Sequence, residues 1–279
     1  MDISDLFRGV DEVRLYEGHH GLLFFDPLIP GDAAFYQVLY KSLRLQSALA
    51  RLRYEFSDAS LHVAPGSRVL DVGCGFGQFG RTLTNASYVG IDLSFDQSHS
   101  DPMRPDFSIR RQSLEDHIAE GPVPYDVVSA FQVLEHVADP LRFIGNMLSL
   151  LRPGGLLIVA VPKTPSAVTE IPAFPINMPP HHLTFWSVEA LRRLASGFDL
   201  TVEHLDDVRP SPAEDIVHWA HRLSWVRTGL DFARLDRYAI LSMLSAALGA
   251  KVLSRIIPFR FARATPVNLL LVARKADAV

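Results

Sequence analysis

The sequence predicts an α/β protein built on a doubly wound, mostly parallel sheet of seven strands, with helices on both faces. Between about residues 68 and 161, short apolar segments alternate with amphipathic helical segments. This alternation is typical of parallel strands joined by crossover helices. Several predicted strands are apolar on both faces, as strands must be when helices cover both sides of a sheet.

Each predicted strand is marked by the residues around it. The first runs into a glycine-rich turn, the second ends at Asp92, and the third has the weakest pattern. A tight turn at Pro153-Gly154-Gly155 precedes the fifth, and a proline-rich stretch separates the fifth from the sixth. We predict strands at 68–72, 88–92, 106–110, 125–130, 156–161, 198–205 and 267–273, and helices at 78–84, at 141–151 and after the cap residue Ser187.

The segments around this α/β region are predicted to be additions to it. A short strand is expected at 22–25, and Asp32 can cap a helix whose apolar positions continue to Phe56. We therefore expect an N-terminal helical cap segment at 1–64 and one domain at 65–279. A helical insertion at about 210–261 would interrupt that domain before its last strand.

Composition limits the classes of function. A formal charge of −4 over 279 residues shows no basic surplus, which argues against a nucleic-acid partner. The single cysteine, Cys74, cannot form an internal disulfide and suits a reducing cytoplasm. No secretory signal or membrane-spanning run is visible. We expect a cytoplasmic protein with a small-molecule substrate; a homodimer and contact with a membrane surface stay open.

A nucleoside-binding pattern follows the first predicted strand. The motif Val69-Leu70-Asp71-Val72-Gly73-Cys74-Gly75-Phe76-Gly77 allows a sharp turn and a close approach of the backbone to a ligand. Asp92 lies about 20 residues further on, where a carboxylate can accept hydrogen bonds from a ribose. The alternative is purely structural: a tight turn that requires glycine and is capped by an aspartate.

The motif departs from the dinucleotide fingerprint, because its third glycine, Gly77, comes one residue early. Asp71 precedes the glycines, where a carboxylate would repel a pyrophosphate and attract an ammonium group. S-adenosylmethionine (SAM) has an ammonium, a ribose and an adenine, and no phosphate. We therefore expect SAM; the alternatives are a nicotinamide-dependent oxidoreductase and a catalytically inactive SAM-binding protein.

Four motifs between residues 68 and 161 carry a family resemblance: the glycine motif, Gly90-Ile91-Asp92, Val133-Leu134-Glu135-His136-Val137 and Leu151-Arg152-Pro153-Gly154-Gly155-Leu156. Their order and spacing resemble the class I SAM-dependent methyltransferases, in the branch that includes quinone-biosynthesis O-methyltransferases and sugar and natural-product methyltransferases. The resemblance covers about a third of the chain. It implies a Rossmann-like fold, S-adenosylhomocysteine as product, and a small acceptor, with oxygen of a sugar, phenol or secondary metabolite favoured.

The resemblance also implies which residues bind SAM. The glycine motif would surround the methionine end, Asp92 would bind the ribose, and Leu93 would lie against the adenine. Residues after the third strand would lie near the adenine edge, and residues after the fourth would line the pocket near the sulfonium. The implied set is Asp71, Gly73, Cys74, Gly75, Gly77, Asp92, Leu93, Ser113, Leu114, Phe131, Gln132 and Glu135.

Three histidines are candidates for the acceptor side. His136 follows the fourth strand and is interpreted as a general base or, preferably, as a structural residue. His181 and His182 follow two prolines and are expected to touch the substrate or act as base, or else to hold a lid in place. Tyr36 and Tyr40 are expected to cover the pocket, or simply to pack against the core.

No metal is predicted. The segment from Glu17 to Leu22 resembles a zinc-binding C-x-x-C-G-L segment of related methyltransferases, with Glu17 and His20 in place of the cysteines. Together with His19 they offer three ligands, and a closed structural site needs four. We therefore interpret the segment as a lost site.

Overall fold

The structure is a computed structural model that describes residues 7, 9–32, 35–36, 54–93, 99–101, 104–166, 169, 177–209, 248–249, 252 and 266–277. Its strands are β1 (Arg14–Glu17), β2 (Leu23–Asp26), β3 (Arg68–Val72), β4 (Ser87–Asp92), β5 (His99–Asp101), β6 (Arg104–Arg111), β7 (Tyr125–Phe131), β8 (Leu151–Pro162), β9 (Thr184–Phe185), β10 (Thr201–Val208) and β11 (Asn268–Arg274). Its α-helices are α1 (Tyr54–Ser60), α2 (Gln78–Thr82), α3 (Leu114–Ala119), α4 (Pro140–Leu150) and α5 (Val188–Gly197).

The main sheet confirms the predicted fold class. Its order is β10-β11-β8-β7-β3-β4-β6-β5, and the five strands from β8 to β6 are parallel. β11 and β10 run antiparallel at one edge, and the short β5 runs antiparallel at the other. All seven predicted strands are present, and β5 is an eighth that the sequence pattern did not indicate.

Helices cover both faces of this sheet, as predicted. Val69 and Leu70 of β3 are both fully buried and point to opposite faces. Leu70 belongs to a core that includes residues of α4 and α5, whereas Val69 belongs to a core with Phe56 of α1 and Phe79 of α2. A strand that is apolar on both faces is therefore explained by burial on both sides.

Two element boundaries differ from the sequence prediction. β8 begins at Leu151, and the expected tight turn is an irregularity within it, where the pairing shifts from Tyr125↔Leu151 to Val127↔Leu156. Residues 198–200 end the helix before β10 and are not part of the strand, since Asp199 has a left-handed φ of 53°. The predicted cap of that helix is confirmed, because Ser187 Oγ accepts a hydrogen bond from the Ala190 amide at 3.0 Å.

A second, small sheet joins the N-terminal segment to the middle of the chain. β2 lies between β1 and β9, and Leu23 pairs with Phe185. Ser187 Oγ also donates a hydrogen bond to the His20 carbonyl at 2.6 Å. The predicted strand at 22–25 corresponds to β2, and Asp32 accepts a hydrogen bond from the Phe35 amide, as a helix cap does.

Several predictions lie largely outside the described residues. The insertion at about 210–261 is described only at 248–249 and 252, and the helix after Asp32 only at 35–36 and again from Tyr54. Tyr40 is also outside. The proposed division at residue 64 stays a prediction. No helix within the described residues is long and apolar enough to span a bilayer.

Candidate active site

A cleft of about 380 Å³ opens at the carboxyl ends of the parallel strands. In open α/β sheets, ligands bind at this edge, where the strand order changes direction. Here β3 and β4 are neighbours in register, Val72 opposite Ile91, so their following loops meet. The cleft is lined by Val72, Gly73, Ile91, Asp92, Leu93, Gln112, Ser113, Leu114, Glu115, Val133, Val137, Asp139, Arg142 and Phe143.

The glycine motif forms the tight turn between β3 and α2. Gly73 has a φ of 72°, and a Cβ there would collide with the Val133 side chain. Gly77 has a φ of 69° and begins α2, where a Cβ would approach Ile109 Cδ1 to 2.7 Å. Gly73 therefore lets the loop pass close to the segment after β7, whereas Gly77 lets α2 pack against the sheet.

Asp92 joins the glycine loop to the end of β4. Its Oδ2 accepts a hydrogen bond from the Gly75 amide at 2.9 Å, and the residue lines the cleft. Leu93 follows it at the cleft wall and is 55% exposed, which is unusual for a leucine next to a buried strand. A carboxylate and an exposed apolar side chain are thus adjacent in the cleft, as the sequence predicted for a ribose and an adenine.

Asp71 does not lie where the sequence suggested. Its side chain is buried beneath the cleft, and Tyr88 Oη and Ser129 Oγ donate hydrogen bonds to its two oxygens at 2.7 and 2.9 Å. Burial raises the pKa of the carboxyl to about 7. The expected direct contact with an ammonium group therefore does not match this geometry, because both oxygens join β3 to β4 and β7.

Several other residues implied by the resemblance are not among those that line the cleft. Cys74 packs against Gly90, and burial raises the pKa of its thiol. Phe131 packs edge-on against Phe56, with ring centroids 4.9 Å apart, on the side of the sheet that carries α1 and α2. Gln132 has a left-handed φ of 58° and donates its side-chain amide to Asn268, and Glu135 is fully buried.

One wall of the cleft was missed by the sequence reasoning. Asp139 begins α4 by accepting a hydrogen bond from the Arg142 amide at 3.0 Å, and Phe143 lies one turn along. These residues reach the cleft because the turn after β7 directs α4 across the strand ends. In the sequence, this wall could have been recognised from Asp139-Pro140, a typical helix start that closely follows the Glu135-His136 motif. By contrast, Ser113 and Leu114, which the resemblance did suggest, do line the cleft.

Three histidines meet beside the cleft and form what we call the histidine cluster: His136, His181 and His182. The ring centroids are 4.4 Å apart for His136 and His181, 5.0 Å for His136 and His182, and 4.7 Å for His181 and His182. The Tyr36 ring lies 5.8 Å from His136 and 6.0 Å from His181. The structure therefore brings together all described acceptor-side candidates.

Backbone hydrogen bonds hold the histidine cluster in place. The Leu183 amide donates to the Glu135 carbonyl at 2.8 Å, and the Phe25 amide of β2 donates to the Leu183 carbonyl at 2.9 Å. His136 Nδ1 donates to the His181 carbonyl, so the tautomer of His136 leaves Nε2 as an acceptor. Residues from three distant parts of the chain are thus fixed around one point.

Burial controls the charge of the histidine cluster. It lowers the pKa of His181 to about 3 and that of His182 well below 6.5, with repulsion from His136 as the second cause. The buried Nδ1 atoms of both rings have no hydrogen-bond partner among the described residues. Both imidazoles are therefore neutral near pH 7. They are weak bases, which favours contact with substrate over the general-base role considered for them.

Comparison with known proteins identifies the family. The family model described as a methyltransferase domain matches residues 42–205. The chain is 38% identical over 128 residues to a ubiquinone biosynthesis O-methyltransferase of Xanthomonas campestris pv. campestris (strain B100). That alignment covers 43% of this chain and 53% of the relative, so the chain spans about half the length of the curated relative it matches.

Solved structures agree on the fold. A chain of the complex between the Haloferax volcanii Trm112 methyltransferase activator and a methyltransferase superposes with a TM-score of 0.53 at 18% identity, covering 86% of this chain and 97% of that chain. A cyclopropane-fatty-acyl-phospholipid synthase-like protein from Lactobacillus casei ATCC 334 gives 0.51 at 14% identity, over 79% and 89%. A family match over more than half of its length shows that this chain belongs to the methyltransferase-domain family.

Proposed function

We propose that this chain is a SAM-dependent methyltransferase that methylates a small molecule, with an oxygen of a sugar, phenol or secondary metabolite as the favoured acceptor. The observation that carries the proposal is the cleft at the ends of β3 and β4, where the Gly75 amide and the Asp92 carboxylate are joined. Family membership and the similarity to an O-methyltransferase support it. We place the protein in the cytoplasm because of its single cysteine.

The charge of the cleft favours SAM over a dinucleotide. Its described lining carries three carboxylates, those of Asp92, Glu115 and Asp139, against one guanidinium, that of Arg142. Such a surplus of negative charge repels a pyrophosphate and attracts a cationic sulfonium or ammonium group. A volume of about 380 Å³ is at the small end of ligand sites. The residues present therefore fit SAM, and they fit the nicotinamide alternative poorly.

In this proposal each part of the cleft has a separate task. SAM supplies a methyl group that its cationic sulfur activates towards a nucleophile. Asp92 would accept hydrogen bonds from the ribose, Leu93 would pack on the adenine, and the loop at Gly73 would lie against the methionine end. Asp71 would act indirectly by holding β3 against its neighbours. The remaining task is to align the acceptor for in-line attack, which binding alone can achieve.

The acceptor would lie on the side of the histidine cluster. His136 is in the same loop as Val133 and Val137, which line the cleft. The lone pair on its Nε2 can receive a proton from an acceptor hydroxyl. Tyr36, His181 and His182 would contact the acceptor as neutral groups; Tyr40 stays a prediction outside the described residues.

Binding of radiolabelled SAM by the full chain tests the proposal. Replacing Asp92 with Ala removes both the expected ribose contact and the link to Gly75, so we expect binding at least about 10-fold weaker, the value of one charge-assisted hydrogen bond. Asp106→Ala removes a half-exposed carboxylate in β6 and should leave SAM binding unchanged. Equal, tight binding by wild type and Asp92→Ala would refute the assignment of the cleft.

Two further assays separate the alternatives. Mass spectrometry of acceptor mixtures incubated with protein and SAM should detect a product heavier by one methylene unit; SAM binding without any product would favour the inactive SAM-binding protein. A fluorescence titration with reduced nicotinamide dinucleotide should show no saturable binding. Saturable binding there, with none for SAM, would favour the oxidoreductase.

A further inference from the structure

The histidine cluster has a geometry that the proposed acceptor contact alone does not explain. One nitrogen from each of His136, His181 and His182 lies within 4.8 Å of the others. Among the described residues, these three histidines form a group of three or more His, Cys, Asp or Glu side chains whose ligand atoms converge in this way. No metal was predicted from the sequence, in which the candidate ligands lay in the N-terminal segment around Glu17 and His20.

We propose that the histidine cluster binds one divalent transition-metal ion of the class that imidazole nitrogen prefers, such as Zn²⁺ or Co²⁺. Three protein ligands with an open fourth position are the arrangement of catalytic rather than structural zinc sites. Neutral imidazoles select such ions over Mg²⁺ and Ca²⁺, which require oxygen ligands.

The hydrogen bond of His136 supports this assignment independently. Its Nδ1 donates to the His181 carbonyl, which fixes the ring and directs the lone pair of Nε2 away from the backbone. Metal-binding histidines almost always donate their second ring nitrogen to a carbonyl or carboxylate in this manner. In addition, a carboxyl oxygen of the buried Glu135 lies 3.7 Å from Nε2, close enough to interact with the proposed cation.

The other two histidines contribute a second observation. His182 is only 7% exposed, and the Nδ1 atoms of His181 and His182 are buried without a hydrogen-bond partner among the described residues. A buried nitrogen without a partner costs free energy, and few native proteins tolerate two side by side. A metal ion that accepts both lone pairs removes this cost.

Binding requires only a local adjustment. Zinc–nitrogen bonds of about 2.0 Å in a tetrahedral site place ligand nitrogens roughly 3.3 Å apart. The present separation of up to 4.8 Å exceeds this by about 1.5 Å, a difference of the size that rotation of imidazole side chains can close. If the proposed function holds, the open fourth position would bind the acceptor oxygen, and the ion would then take over the activation that Nε2 of His136 would provide in the metal-free protein; this clause rests on that function.

Titration of the metal-free full chain with Co²⁺, followed by its visible absorption, tests the site directly. We expect one equivalent to give the intense bands of a tetrahedral ion, and Zn²⁺ to displace it. His181→Gln and His182→Gln should each weaken binding by more than about 100-fold, since even outer partners of a metal ligand are worth 10- to 100-fold. His204→Gln is the matched control, because it removes one ring of the separate His62–His204 pair.

Two outcomes would overturn the metal site: no saturable binding by wild type, or binding that His204→Gln abolishes and the cluster variants retain. Circular dichroism checks that the cluster variants fold. If they do not, the ¹⁵N resonances of the wild-type imidazoles are measured during a Zn²⁺ titration instead. Zn²⁺ must then shift the signals of three rings, and unchanged signals count against the site. SAM binding by the metal-free protein, measured in parallel, shows whether the donor cleft works independently of the metal.

Discussion

The cleft and the histidine cluster lie side by side but are built in different ways. Glycines shape the cleft, because Gly73 lets the loop pass close to Val133 and the Gly75 amide bonds to Asp92. Side chains dominate the histidine cluster, where two ring nitrogens are buried without partners among the described residues. The cleft thus depends on the course of a backbone loop, whereas the cluster depends on side chains that a bound ligand would satisfy.

This difference matches the two tasks of a methyltransferase. A donor that is the same in every reaction can be recognised by a backbone loop that follows directly from one strand. An acceptor that differs between enzymes requires side chains that can change without altering the sheet. The cluster comes from three distant segments, which are joined by the hydrogen bonds of Leu183 to Glu135 and of Phe25 to Leu183.

The largest effect is expected for Gly73→Ala, which tests the backbone side of the comparison. It adds left-handed strain of about 1–3 kcal/mol and a collision with Val133 that costs about 1–3 kcal/mol more. Gly66→Ala is the matched control, because Gly66 has a φ of 83° with open space around it. Urea unfolding and SAM binding should show greater destabilisation and lost binding for Gly73→Ala alone; equal losses in both variants would contradict the close approach to Val133.

An intermediate effect is expected from the buried carboxyl under the cleft. The pKa of Asp71 rises from 3.8 to about 7 on folding, so the folded state keeps a proton that the unfolded chain releases. Stability from this group is therefore present below pH 4 and is lost as pH rises to about 7, by at most about 4 kcal/mol.

The isosteric variant Asp71→Asn lacks this titration. The difference in the free energy of unfolding between wild type and Asp71→Asn should therefore change between pH 4 and pH 8, in favour of the variant at high pH. Asp106→Asn, at a half-exposed position, provides the comparison. A difference that does not vary with pH would show that the Asp71 carboxyl is ionised in the folded protein, with solvent access from the cleft.

The smallest effect is expected at two helix caps and concerns how the acceptor side is attached. Ser187→Ala removes the cap of α5 and the bond to the His20 carbonyl, whereas Ser113→Ala removes the cap of α3 and a bond to Asp116 within the same turn. Each should destabilise by about 1 kcal/mol. Hydrogen exchange should additionally speed up in β2 for Ser187→Ala only; unchanged exchange there would mean that the sheet pairing alone holds the N-terminal segment.

The main sheet could be predicted because its strands are apolar on both faces and each ends in a recognisable turn. β1, β5 and β9 could not, since β1 is wholly exposed and β9 has only two residues. Such strands exist through their pairing with another segment and have little pattern of their own. For the same reason the contact between Leu23 and Phe185 is invisible in the sequence.

The lining of the cleft could be predicted where it follows from local sequence. Gly73, Asp92, Leu93, Ser113 and Leu114 do line the cleft, because strand ends in register bring their loops together. The position of Asp71 could not be predicted, because its partners Tyr88 and Ser129 lie on neighbouring strands. The lowered pKa values of His181 and His182 could not be predicted either, since they depend on burial by distant segments.

The small sheet of β1, β2 and β9 has a consequence for the order of folding. Pairing of Leu23 with Phe185 closes a loop of more than half the chain, and contacts between such distant segments form slowly. During synthesis, β2 leaves the ribosome long before its partner β9 does. By contrast, β3, β4 and β7 are all available for pairing once Phe131 has emerged. Of the two regions, the donor side matures first. Under the proposed function, the acceptor side closes last, so a newly made chain can bind SAM before it can bind an acceptor.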